Sequence, residues 1–222
     1  MHMSVNKVFN VFKQETKQNS FNDSKKKTNN NALIGSIIGT SIATFLAVSK
    51  SKNKDKFIKQ IVKTDFASPK NMIMVAAGSI LGGLAGGIIK DKHNPDNVWK
   101  KIKESNFQMI SNVIFPLIFL KILKNAASTL TKTSSKLVKN VATFMSVFTG
   151  VIAGAFTGSK VANKLNKDII KPEVPYEREL KPKDFFVHID DIPVALAFSN
   201  VPYIDKLIPI ILAIRGYEAG TK

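Results

Sequence analysis

The sequence predicts an all-α fold, a polytopic integral membrane helix bundle with four to five membrane segments and small-xxx-small packing between helices. Two observations carry this prediction. Apolar residues gather into blocks of spanning or nearly spanning length, and lysines fill the gaps between them. Within three of those blocks a small residue recurs at every fourth position, which leaves one helix face almost bare of side chains. The averages over 222 residues, 44% hydrophobic and 22% charged, hide this segregation because they match an ordinary soluble domain.

Residues 1–31 read as a basic, polar amino-terminal arm. Val5, Val8, Phe9 and Phe12 share one helical face there, which fits a helix lying in a membrane interface. The length of this polar arm argues against a cleavable signal peptide. Residues 32–158 hold four apolar segments, at 32–48, 72–89, 107–120 and 141–158. The first two contain 17 and 18 residues without a charge. At roughly 1.5 Å per residue they reach about 25–27 Å, just under the usual hydrocarbon thickness. The third is shorter, contains Asn112 and Pro116, and is followed by Lys121, a residue able to snorkel to an interface. Before it, Asn94-Pro95 has the form of a helix start, and Trp99 falls where an interfacial aromatic would sit. Phe57, Ile58, Ile61 and Val62 share a face amid lysines, so a short helix is expected there. Residues 159–191 balance seven basic against seven acidic residues and include three prolines, the pattern of an extramembrane loop. Residues 192–222 form an apolar segment interrupted by Pro202 and Pro209, with Arg215-Gly216 as its expected helix stop.

The small-residue stripes are Gly35, Gly39 and Ala43; Gly78, Gly82 and Gly86, with Gly83 and Gly87 alongside; and Gly150, Gly154 and Gly158. Such stripes let helix backbones approach closely. They resemble the glycine-zipper pattern of small membrane proteins, a resemblance that names a packing mode and no activity. Gly35-Ser36-Ile37-Ile38-Gly39 also matches Gly78-Ser79-Ile80-Leu81-Gly82 at a period of 43 residues. In segments this rich in Gly and Ile, a shared packing solution explains the match better than duplication. Helices buried in a soluble core are the competing explanation, but each interior glycine costs such a helix about 1 kcal/mol.

The absence of cysteine excludes disulfides, thiolate metal sites and cysteine nucleophiles. Of 33 basic residues only Arg178 and Arg215 are arginines, against a net charge of +17. A lysine-dominated excess favours anionic lipid headgroups over specific nucleic acid as the partner of the charge. Asp205 and Lys206, inside the last apolar segment, are the candidate polar membrane site, because ionisable groups at depth face a bundle interior, water or each other. A polar turn between two short helices explains the same residues. His188, Asp190 and Asp191 have metal-ligand chemistry, yet the two aspartates precede Ile192-Pro193 and are better explained by helix capping. No catalytic, cofactor or metal motif stands out, so no cofactor is expected and an enzyme ranks third, behind a structural role and a transport role and ahead of a soluble nucleic-acid-binding protein. The leading expectation is a structural or assembly role through glycine-mediated helix packing, with homo-oligomers or other membrane subunits as partners. The alternative is a transporter or channel component using Asp205 and Lys206 in an interrupted helix. With five crossings, basic residues divide 18 against 14 in favour of a cytoplasmic amino terminus, in a bacterial-type cytoplasmic membrane.

Overall fold

The computed structural model describes residues 29–49, 57–176, 178 and 203–221, which are helical apart from short turns, with no strand among them. The expected interfacial helix at Val5 to Phe12, the His188 to Asp191 motif and Pro202 lie outside the described residues.

Helix α1 (Asn30–Ser49) and helix α3 (Pro69–Asp91) contain the first two apolar blocks, and the short α2 (Phe57–Lys63) precedes α3. The first two run antiparallel, with Gly35 against Gly82 and Gly39 against Gly78. Helix α4 (Pro95–Met109) begins where the sequence places it: the Asn94 side chain accepts the Asn97 N–H at 3.2 Å, and Pro95 occupies the first turn.

The third apolar block differs from expectation. It is the inner part of one 36-residue rod, Pro95–Leu130, in which α4 passes through a widened π turn (Ile110–Ile114) into α5 (Phe115–Leu130). Pro116 explains the turn. With no N–H to offer, it cannot continue the α-helical hydrogen-bond ladder, and the Phe115 N–H reaches back to the Ile110 carbonyl instead. The helix widens by one residue rather than ending.

Helix α6 (Lys136–Asp168) corrects the boundary of the charged loop, because the helix runs through Ser159 to Asp168. Nothing in that stretch breaks a helix. Ala162 and Asn166 are buried on its inner side, while the lysines occupy its other faces, and the first proline comes only at Pro172. The carboxyl-terminal segment is corrected too. Asp205 and Lys206 lie in a 3-10 turn (Ile204–Leu207), followed by a 14-residue helix α7 (Ile208–Thr221). Pro209 falls in the first turn of α7 and so breaks nothing. The helix continues past Arg215-Gly216 because the missing side chain of Gly216 is used for contact with α3, not for a helix stop.

Among the described residues, four helices are long and apolar enough to cross a membrane: α1, α3, the Pro95–Leu130 rod and α6. The distribution of residue size agrees. Ile34, Ile38, Ile42 and Phe45 of α1 are all more than half exposed, whereas Ala32, Ser36, Thr40, Ala43 and Ala47 are buried. Large apolar groups outside and small ones inside reverse the order of a water-soluble core and suit a lipid solvent. Together with the four long apolar helices, this inversion suggests a membrane protein.

Helix α7 returns to the end at which α1 begins, since the Asn29 amide donates to the Gly220 carbonyl at 3.3 Å. This departs from the five-crossing count, which places the two ends on opposite sides. Single cysteines at Lys92 and Thr133 should therefore label from opposite sides of the membrane with an impermeant maleimide. A cysteine at Thr221 should label from the Lys92 side. Labelling of Thr221 with Thr133 would contradict the architecture.

Candidate functional site

Glycine contacts and serine hydrogen bonds converge at the seat of α7, a groove between α1 and α3. Helix α3 carries two glycine faces. Gly78, Gly82 and Gly86 meet α1, where added Cβ atoms would strike Gly39, Gly35 and Asn31, while Gly83 and Gly87 meet Gly216 and Gly220 of α7. None of these glycines has positive φ, so close approach of backbones, not a turn, is what they supply. The stripe of Gly150, Gly154 and Gly158 belongs to a separate seam between α6 and the rod. There a Cβ on Gly154 would stand 2.5 Å from the Cα of Pro116, and one on Gly158 would stand 2.8 Å from the Cα of Ser111.

At the centre of the seat the two copies of the matching pentapeptide face each other. Exchanging each residue for its match 43 positions away converts the Gly35–Gly82 contact into Gly78–Gly39, so the two motifs are related by a local two-fold. Ser36 and Ser79 lie on that axis with their hydroxyl oxygens 3.3 Å apart. Each hydroxyl donates to α7, Ser36 to the Ala213 carbonyl and Ser79 to the Leu212 carbonyl at 2.5 Å. Buried hydroxyls that would be costly in hydrocarbon are thus satisfied by the third helix.

Polar clusters hold α7 at both ends. At its start, Asp205 accepts the Phe66 N–H at 3.2 Å and pairs with Lys206 at 2.6 Å. Lys206 also donates to the Thr64 carbonyl, and its ammonium lies 5.5 Å from the Phe66 ring centroid. The structure brings these two candidate residues together, in a turn and not within a spanning helix. At the other end Glu104, only 1% exposed, accepts from the Arg178 guanidinium, the Tyr176 hydroxyl at 2.5 Å and the Gln108 amide at 2.7 Å. Gln108 also donates to Glu218 of α7 at 2.9 Å, and Glu218 lies 3.5 Å from Arg215. Arg178 covers the ring of Phe107 at 5.1 Å. Burial and the neighbouring Glu104 carboxylate push the Tyr176 phenol above its usual range, so it stays a donor.

Sequence reasoning missed this second cluster. Its members are scattered from Glu104 to Glu218, but two signals existed. Glu104, Gln108 and Asn112 form a polar stripe four residues apart that runs into an apolar block, and both arginines of a lysine-rich chain belong to the cluster. The arrangement fits arginine's forked donor geometry. Among the described residues, no group of three or more His, Asp or Glu is placed to hold a metal ion. The chain matches no protein family, no curated protein and no solved structure.

Proposed function

We propose that the chain is a structural membrane protein, with a role in assembly rather than catalysis, built on glycine-zipper packing of α1, α3 and α7. The observation that supports this most is the reciprocal seating of Gly35 on Gly82 and Gly39 on Gly78, with Gly83 and Gly87 reserved for α7. These stripes are occupied within one chain. Association with further copies or other subunits would then use the outward apolar faces, such as that of Ile34, Ile38 and Ile42, and the lysines would meet anionic headgroups in a bacterial-type cytoplasmic membrane.

The transport reading has less support, because the Asp205 carboxylate and the Lys206 ammonium are engaged by each other and by the backbone before α3. Their arrangement favours a clamp over a conducting path. Wild-type protein reconstituted in liposomes should conduct no more than the lipid alone, and Asp205→Asn should lower stability by only about 1 kcal/mol, the scale of one hydrogen bond. A wild-type conductance abolished by Asp205→Asn, with the melting temperature retained, would instead establish transport.

A further inference from the structure

A cleft of about 840 Å³ opens beside the turn that holds Asp205 and Lys206, between the start of α3 and the middle of the long rod. Its floor includes Ile73, Ile114, Leu117 and Ile118, and Ile73 and Ile118 are 39% and 46% exposed. Its rim includes Lys63, Lys121, Lys124 and Lys206. Two aspartates also line it: Asp205 is paired with Lys206, and Asp65 accepts the Ala67 N–H at 2.9 Å. Four lysines against two aspartates give the rim an excess of positive charge.

The level of the cleft in the bundle identifies its occupant. Met72 begins the uncharged stretch of α3 and Leu120 ends that of the rod, so the isoleucine floor lies just inside the apolar zone and the lysines stand at its edge. A ligand that fits must join an acyl chain to an anionic head across that boundary. Lysine ammoniums on flexible stems suit a hydrated phosphate at an interface. The volume lies within the range of small-molecule sites, about 300–1,000 Å³.

We propose that this cleft binds one anionic phospholipid, with its phosphate between Lys63, Lys121 and Lys124 and an acyl chain along Ile73, Ile114 and Ile118. This rests on the membrane reading of the chain but not on the assembly role. The bound lipid would join α3 to the rod on the side where α7 begins.

The test reconstitutes the full chain in vesicles of mixed phosphatidylglycerol and phosphatidylcholine, extracts it in mild detergent and counts retained lipid by native mass spectrometry. Wild type should keep one phosphatidylglycerol in preference to phosphatidylcholine. Lys121→Gln with Lys124→Gln should reduce that retention roughly thirtyfold, on the scale of one basic residue's attraction to an anionic surface taken twice. Ile118→Trp, which fills the floor and leaves the lysines, should reduce it as well. Equal retention of both lipids by wild type, unchanged retention in the double variant at wild-type melting temperature, or displacement by inorganic phosphate would each overturn the site. A chain released from membranes by alkaline carbonate would overturn the membrane architecture itself, a result distinguishable from loss of lipid preference in a chain that stays embedded.

Discussion

Glu104→Ala is expected to destabilise the bundle by about 3–5 kcal/mol, the cost of removing one partner from a buried charge cluster. The carboxylate is nearly inaccessible and accepts from Arg178, Tyr176 and Gln108, so its loss leaves a guanidinium and a phenol without their acceptor in a confined site. The effect should spread to α7, because Gln108 is the bridge from Glu104 to Glu218. Thermal unfolding in detergent measures the loss. Combining Glu104→Gln with Arg178→Gln should cost less than the two single changes added, since the pair is removed together. A Glu104→Ala protein that melts with wild type would show that the cluster does not hold the bundle.

Gly82→Leu should have the next largest effect, by a different mechanism. A Cβ at Gly82 would overlap the carbonyl of Gly35 and stand 3.0 Å from the Cα of Gly39, and both obstacles are backbone that cannot rotate away. Helices α1 and α3 must then separate, which draws Ser36 and Ser79 off the α7 carbonyls. Overpacking of this kind costs about 1–3 kcal/mol, and the lost serine bonds add to it. The expected result is a lower melting temperature and a broadened elution profile. Leu81→Ile, at an exposed position of α3, should leave both unchanged. If Gly82→Leu kept wild-type stability and size, glycine packing would have no part in the fold.

Helices long and apolar enough to cross a membrane were legible in the sequence because they depend on local length and composition, and the blocks at 32–48, 72–89 and 141–158 all fall inside observed helices. The Asn94-Pro95 start was legible for the same reason, since a cap and a first-turn proline act within one turn. Limits set by tertiary contact were not. The third block read as a short segment ending before Lys121, yet a π turn absorbs Pro116 and the helix runs on to Leu130. Gly216 had the form of a stop signal, and only the nearness of Ser79 and Gly83 shows that it serves packing inside a continuing helix. The charge of residues 159–168 suggested a loop because the buried side of α6 there is made of Ala162 and Asn166, too small and too polar to read as apolar. Asp205 and Lys206 were recognised as a pair, while their partners at Thr64 and Phe66 lie far away in the chain.

The groove that receives α7 also bears on how the protein is made. Helices α1 and α3 leave the ribosome long before α7, and the Asn29–Gly220 bond spans 191 positions of sequence. Until α7 emerges, Ser36, Ser79, Gly83 and Gly87 line an open furrow in a half-finished bundle, with two hydroxyls lacking their final acceptors. Such a furrow is a slow, non-local closure and, while it stays open, a landing place for another helix. The hydrogen bonds and glycine contacts of the seat can therefore be completed only once α7 has been made, which gives the last helix of the described chain the role of a latch.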